Sequence, residues 1–170
     1  MNIENLLLIS IVLIPLSVGL VLIFLRRAAP SMDGWLALIA SGCTLIATLS
    51  LLQQLNNGIE PRLELLWLPQ ADIYLILHVD WITFPFLLTE ALVTVFAVIY
   101  SIGYLHRDEK TPYFYALLLL FGVGMSGTTL ADSIFLFYGF WELMLIASCI
   151  LILVWGEGKK RGAVALKYFL

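Results

Sequence analysis

The stretch Phe137–Trp155, FYGFWELMLIASCILILVW, contains one ionised side chain, Glu142, among residues that are almost all apolar. A carboxylate inside a membrane costs several kcal/mol even on the lenient insertion scales. Such a residue is therefore rare unless it has a function, provided that the stretch does lie in a membrane. The composition of the whole chain indicates whether this stretch lies in a membrane.

The chain is far more apolar than a water-soluble domain. Of its 170 residues, 62% are hydrophobic and 12% are charged, whereas soluble domains average about 45–50% and about 25%. This composition predicts an integral membrane protein. The net charge of -3 and the lack of a basic cluster give no indication of nucleic-acid binding.

Five apolar segments are each long enough for the roughly 20 residues that a spanning helix needs. The last two are separated by a single charge, Asp132, so the chain must turn near the stretch TLADS. A sixth segment begins at Gly162. The predicted fold is all-α, a polytopic transmembrane helix bundle that forms a single transmembrane region over residues 1–170. The five full spans are expected at Leu6–Leu25, Gly34–Leu55, Trp81–Leu105, Tyr113–Ala131 and Ser133–Trp155.

The distribution of Lys and Arg predicts the orientation. Seven basic residues follow the first, third and fifth segments, whereas the opposite side has one, Arg62. Under the positive-inside rule this bias predicts an N-terminus outside the cell. The seven residues are Arg26, Arg27, Arg107, Lys110, Lys159, Lys160 and Arg161.

The outer loop, residues 56–80, has a pattern of its own. Two β-prone runs, LELLWLP and IYLILHVD, lie on either side of a short polar link, which predicts a small hairpin over the helix ends. His78 either belongs to this solvated cap or serves as a proton-relay candidate. Asp132, in the turn between the fourth and fifth spans, is a further auxiliary candidate.

Glu142 is the principal site candidate. It lies about ten residues in from the outer end of its span, which is about 15 Å deep. A buried carboxylate at that depth must be protonated, meet a cation or contact water; a neutral Glu hydrogen-bonded between helices is the structural alternative. Lys167 enters from the other side about 12 Å away in depth, so we expect communication through water or another helix, unless Lys167 extends to the cytoplasmic surface.

Glu90 lies at nearly the same predicted depth as Glu142. It either shares a protonation site with Glu142, if the two helices are neighbours, or forms a hydrogen bond with Thr89 or a neighbouring helix. Pro85, five residues earlier, predicts a kink.

Small residues in the fourth segment predict close helix packing: Gly122, Gly124, Ser126 and Gly127. Cys43 and Cys149 lie within apolar runs without a neighbouring His and predict neither a disulfide nor a metal site. No pattern for a phosphate loop or haem ligands is present in the sequence, so no cofactor is expected in this chain.

The residues FWELMLIASCILILVWG and RGAVALKYFL resemble the antiporter-like subunits of respiratory complex I, membrane hydrogenases and Mrp-type antiporters. The stretches HVDWITFPFLLTEALV and YSIGYL add to this resemblance, which is greatest to chain M (chain 4 or D) of NADH:quinone oxidoreductase. It covers all 170 residues but only the N-terminal third of a family member. Trp81 replaces the family's usual glycine, and Glu90 has no counterpart in the motif.

The resemblance implies that Glu142 and Lys167 take part in proton translocation. It also implies a non-redox subunit in a complex coupling proton movement to electron transfer; whether the chain is part of an enzyme stays open. The alternative is part of a multisubunit sodium/proton antiporter of Mrp type, and a purely structural membrane protein is a third. Expected partners are other membrane subunits, the lipid bilayer and H⁺ or Na⁺. Either the missing helices belong to the same polypeptide or a split partner supplies them. The expected location is a prokaryotic cytoplasmic (inner) membrane.

Overall fold

The computed structural model describes residues 3–24, 32–71, 73–105, 110–156 and 160–169. Six helices and one two-stranded sheet occur in these ranges. The helices are α1 (Ile3–Phe24), α2 (Asp33–Asn56), α3 (Thr83–Tyr104), α4 (Thr111–Leu130), α5 (Ile134–Trp155) and α6 (Arg161–Phe169). The first five are long and apolar enough to cross a membrane. The predicted fold class is confirmed, and the turn between the fourth and fifth spans falls where Asp132 required it.

The outer loop contains the predicted hairpin. Strands β1 (Arg62–Leu68) and β2 (Ile73–His78) pair antiparallel, with Arg62 opposite His78 and an irregularity between Leu66 and Leu68. Leu63 of β1 and Leu77 of β2 are opposite each other, and their side chains are buried on the face towards the helices, because alternate side chains of a strand point to opposite faces. The hairpin therefore covers the outer ends of the helices with one apolar face. Asp72, between the two strands, lies outside the described residues.

The hairpin is attached to the turn between α4 and α5 by backbone and side-chain bonds. The N–H of Asp132 donates to the carbonyl of Ile76 at 2.9 Å, and Leu77 forms a β-bridge with Ala131. An ion pair joins Arg62 to the Asp132 carboxylate at 2.7 Å. The hairpin and this turn consequently lie on the same side of the bundle.

Asp80 begins the first turn of α3. One oxygen of its carboxylate accepts hydrogen bonds from the N–H of Ile82 at 3.0 Å, the N–H of Thr83 at 2.7 Å and the Thr83 hydroxyl at 2.6 Å. The N–H of Phe84 donates to the Asp80 carbonyl at 3.0 Å, which is a helical hydrogen bond that begins before Thr83, the first residue assigned to α3. These donors, the Thr83 hydroxyl first, hold the pKa of Asp80 below its ordinary value. The side chain therefore acts as an N-terminal cap.

Pro85 is the third residue of α3. The kink expected at this proline stays a prediction.

Helix α4 has the central position. It packs against α1, α2, α3 and α5, while α1 packs on α2, α2 on α3, and α5 on α6. Because α4 separates α3 from α5, those two helices are not direct neighbours.

The buried interior is divided into two apolar clusters. The outer cluster lies beneath the hairpin and includes Leu8, Leu51, Leu87 and Leu130. The inner cluster lies towards the opposite ends of the same helices and includes Leu22, Ala40, Val98, Tyr115 and Leu119. Polar side chains lie between the two clusters, as described below.

The basic residues used to predict orientation are only partly described. Lys110, Lys160 and Arg161 lie at helix ends opposite the hairpin. Arg26, Arg27, Arg107 and Lys159 lie outside the described residues.

Candidate functional site

Glu142 is the ninth residue of α5. At 1.5 Å per residue its Cα lies about 12 Å from the outer end of the helix. Its side chain is partly buried, and the phenol of Tyr138, one turn earlier on the same helix, lies near its carboxylate. The structure therefore places this carboxylate within the apolar length of the span, with a polar group of its own helix nearby.

One face of α5 lies very close to α4 because α4 presents glycines there. A Cβ added to Gly124 would lie 2.7 Å from the backbone nitrogen of Met144, and one added to Gly127 would overlap the ring of Phe140. The small residues of α4 thus form the predicted packing surface.

Glu142 is on a different face of α5, the face against which α6 packs. Residues seven apart lie on one stripe of a helix, and the thiol of Cys149, seven residues after Glu142, lies 3.6 Å from the Ala165 carbonyl of α6. The hydroxyl of Ser148 also donates to the phenol oxygen of Tyr168 at 3.2 Å. Helix α6 runs antiparallel to α5, so its C-terminal end approaches the level of Glu142.

Lys167 lies near that end of α6 and is exposed. The contacts of its neighbours place it level with residues 148–149 of α5. Glu142 precedes these two positions of α5 by six or seven residues, which corresponds to about 10 Å along the helix axis. The two described side chains form no ion pair with each other. Any exchange of charge between them needs a mediator.

Glu90 has its partner on α4. The hydroxyl of Thr129 donates to Glu90 Oε1 at 2.5 Å, while Oε2 is buried and has no hydrogen-bond partner among the described residues. Thr89 instead donates to the carbonyl of Pro85 at 2.8 Å. Since α4 separates α3 from α5, this arrangement does not bring Glu90 and Glu142 together, and the hypothesis of one shared carboxylate site is not supported.

His78 and Asp132 belong to the outer cap. His78 Nε2 lies 3.7 Å from a carboxylate oxygen of Glu60. Asp132 pairs with Arg62, which also donates to Glu64 at 2.7 Å. The hydrogen bond to Glu64 is the main reason that the pKa of Arg62 lies above its usual value, so the guanidinium that holds the cap together is always charged.

The sequence did not identify two polar residues beside the carboxylates, Tyr138 and Thr129, or the hydroxyl groups between the two apolar clusters. Tyr138 has the four-residue spacing to Glu142 that places two side chains on one helical face, and this signal was available. Thr129 and the hydroxyl groups between the two apolar clusters needed knowledge of which helices are neighbours.

These features define a class of protein: a polytopic membrane protein with a helix bundle, a hairpin cap at one end, and two carboxylates placed within the spans on separate helices. Comparisons with known proteins narrow this class. Residues 67–115 match the family model described as NADH-Ubiquinone oxidoreductase (complex I), chain 5 N-terminus.

Among curated proteins, the chain is 34% identical over 149 residues to the Na(+)/H(+) antiporter subunit A1 of Staphylococcus haemolyticus (strain JCSC1435). The alignment covers 87% of this chain and 19% of that subunit. The corresponding subunit of Staphylococcus epidermidis (strain ATCC 12228 / FDA PCI 1200) is 35% identical with the same coverage. The chain therefore spans about a fifth of the length of these curated relatives.

Two solved structures share the fold. The Mrp complex from Dietzia sp. DQ12-45-1b matches with a TM-score of 0.81 and 20% identity, covering 99% of this chain and 31% of that one. The membrane-bound sulfane sulfur reductase, an archaeal respiratory membrane complex, matches with a TM-score of 0.79 and 24% identity, covering 96% of this chain and 24% of that one.

The findings support the antiporter-like superfamily that the sequence resembles. They do not support the narrower assignment to chain M. They also favour the Mrp-type alternative over the redox-coupled function that was the main expectation from the sequence.

Proposed function

We propose that this chain forms the N-terminal part of an antiporter-like subunit in a multisubunit sodium/proton antiporter of Mrp type. The support comes from relatives named as Na(+)/H(+) antiporter subunits that align with most of the chain. The proposed location is a prokaryotic cytoplasmic membrane, with the N-terminus and the hairpin outside. Residues 1–170 are proposed to act as a single transmembrane region.

The position of Glu142 is the observation that carries the proposal. A carboxylate that far from the outer end of a span is costly as an unpaired anion. The phenol of Tyr138 offers a polar group near the carboxylate, and a cation that approaches a carboxylate favours its charged form. Glu142 can therefore take up a proton when the cation withdraws and release it when the cation approaches.

Lys167 is proposed to act on the same route from the cytoplasmic side. The offset of about 10 Å along α5 exceeds the reach of a direct ion pair. Water or a neighbouring helix must relay charge between the two residues.

The remaining partners are proposed to be further helices and other membrane subunits, as in the multisubunit complexes that share the fold. Among the described residues of α5, only Ala147 is fully buried. This exposed helix offers a large apolar surface both to lipid and to such helices. No cofactor is proposed for this chain; the transported ions are proposed to be H⁺ and Na⁺.

Proton translocation coupled to electron transfer is the second candidate. It is favoured by the match of residues 67–115 to a complex I family model and by the shared fold of the sulfane sulfur reductase. Glu142 and Lys167 would have the same roles in that case, and other subunits would supply the redox centres.

Proton movement in vesicles containing the complete assembly tests the proposal. An imposed Na⁺ gradient should drive proton movement, and Glu142→Gln should abolish it while the amount of assembled complex is unchanged. Glu60→Gln, on the exposed outer loop, is the matched control and should retain activity. Normal antiport by Glu142→Gln would refute the role of Glu142. Proton movement that requires an electron donor instead of a Na⁺ gradient would replace the proposal with the second candidate.

Thiol labelling tests the orientation separately. In a background that lacks Cys43 and Cys149, Glu64→Cys should react with an impermeant reagent added outside, and Lys160→Cys should not. The reverse pattern would invert the topology.

A further inference from the structure

A small cavity, half of whose lining residues carry a hydroxyl group, lies between the two apolar clusters of the bundle. Four hydroxyl-bearing residues from α2, α3 and α4 contribute to its wall: Ser41, Thr44, Thr94 and Ser126. Pro15 of α1 and Gly122 of α4 also line it. Hydroxyl groups from three helices thus converge at a level where the residues above and below are aliphatic.

The hydrogen-bond pattern leaves oxygen acceptors in this cavity. Ser41 donates to the carbonyl of Leu38 at 3.2 Å, and Thr44 donates to that of Ala40 at 3.0 Å. Thr94 donates to the carbonyl of Glu90 at 2.9 Å. Each of these hydroxyl hydrogens is used within its own helix, so the oxygen lone pairs remain available to a bound molecule.

The cavity wall also has an available donor. Ser126 exposes 5% of its surface, and its hydroxyl has no partner within the described ranges of the chain.

The size of the cavity suits one water molecule. About 10 Å³ is open to the centre of a water-sized sphere, and a buried water needs roughly 10–15 Å³ by this measure together with two to four polar partners. The four hydroxyl groups meet the second requirement.

Glu90 lies one helical turn from this cavity. It is four residues before Thr94 on α3, and its partner Thr129 is three residues after Ser126 on α4. Both residues of the Glu90–Thr129 pair are therefore about 5 Å along their helices from a hydroxyl that lines the cavity. The buried, unpartnered Oε2 of Glu90 is the group that most needs a proton or a polar ligand.

No counter-charge faces Glu90 from the described parts of the spans packed against α3. On α2 the ionisable residues are Cys43, which is exposed, and Asp33, which begins that helix on the cytoplasmic side. On α4 they are Tyr113 and Tyr115, near its cytoplasmic start. An ionised Glu90 would remain without a cation, and this is the costly state in a membrane interior.

We propose that Glu90, Thr129 and the hydroxyl cavity form a second buried proton-binding site, in which Glu90 carries a proton and one water molecule occupies the cavity. The site lies on the other side of α4 from Glu142 and does not depend on it. The water gives the proton on Glu90 a path for exchange along the hydroxyl groups, whereas the apolar clusters above and below offer none.

Infrared difference spectroscopy on the intact assembly in lipid vesicles tests the proton. A pH step should reveal the C=O stretch of a protonated carboxylic acid that Glu90→Gln removes and Glu142→Gln retains. The absence of a Glu90-dependent band from mildly acidic to neutral pH would overturn the proposal. Loss of the band on adding Na⁺ at constant pH would assign the cavity to a cation and would also overturn it.

Transfer of the same vesicles to D₂O tests the water. Ser126→Ala and Thr94→Val remove cavity hydroxyls without adding bulk, and both should slow deuterium exchange at Glu90 several-fold, because cavities without polar partners stay dry. Thr128→Val is the matched control, since Thr128 donates to the carbonyl of Gly124 and does not line the cavity. Equal exchange rates in all variants would show that no water serves Glu90. These readouts are independent of Na⁺-driven transport, so they stand if the antiporter proposal fails.

Discussion

Gly124 should not tolerate a single added methyl group. In the native structure a Cβ at this position would lie 2.7 Å from the backbone nitrogen and Cβ of Met144 and 2.8 Å from its Cα. Ordinary van der Waals contact begins near 3.4 Å, so Gly124→Ala requires α5 to withdraw by about 0.7 Å. Because the obstacle is largely backbone, a change of side-chain rotamer cannot relieve it.

The expected cost follows from overpacking of this kind, which typically destabilises by about 1–3 kcal/mol. Replacing a helical glycine by alanine also brings a gain of roughly 0.5–1 kcal/mol from backbone entropy. Gly139→Ala is the matched control, because Gly139 is on α5 and a Cβ there would meet nothing within 4 Å. Both variants share the entropic gain, so the difference between them isolates the clash.

Reversible unfolding in mixed detergent micelles measures this difference. Gly124→Ala should have a free energy of unfolding about 1–3 kcal/mol below that of Gly139→Ala. Equal stability of the two variants would refute the close approach of α4 and α5.

Three further predictions concern the Asp80 cap, the hairpin and Lys167. Asp80→Ala should destabilise the start of α3 by about 0.5–2 kcal/mol, as measured by hydrogen exchange of its first amides. The pKa of Asp80 is lowered in the folded state. Its contribution to the free energy of unfolding is therefore fully present above the unfolded pKa of about 3.9 and is lost as pH falls through the folded pKa. Asp80→Asn should not show this loss of stability at low pH. Arg62→Ala should loosen the hairpin by removing its ion pair with Asp132, while the backbone bond from Asp132 to Ile76 remains. The effect should be small because both side chains are about half exposed, and cleavage of the hairpin by added protease should rise slightly, more so at low salt. Lys167→Ala should lower the rate of ion transport, and unchanged rates at equal protein levels would leave this residue without a role in transport.

The chain's own composition and periodicity were sufficient to predict most of the architecture. The spans follow from uninterrupted apolar length, because a bilayer accepts only segments whose backbone bonds are satisfied internally. The turn at Asp132 follows from the same limit, since the two runs around it exceed any single span. The hairpin follows from two β-prone runs with a short link. Each of these features depends on local sequence and on the solvent around it.

The candidate site was only partly predictable. Charged residues within apolar runs are easily recognised in the sequence, and this identifies Glu142, Glu90 and Lys167. Which of these residues lie close together in space cannot be read from the sequence, because depth along a helix does not tell which helices are in contact. Glu90 and Glu142 are predicted at one level, yet the central position of α4 separates them and gives Glu90 the hydroxyl of Thr129 as its partner.

Tertiary structure alone assembled the hydroxyl cavity. Ser41, Thr44, Thr94 and Ser126 are individually ordinary residues whose hydroxyls can bond within their own helices. They acquire meaning when three helices place their oxygens around one space. Likewise Gly124 predicts close packing in general, but only the packed helices specify the backbone of Met144 as its neighbour. Apolar length determines where this chain crosses a membrane, whereas side-chain shape and helix neighbourhood decide which polar groups meet inside it, since lipid supplies no directional preference of its own.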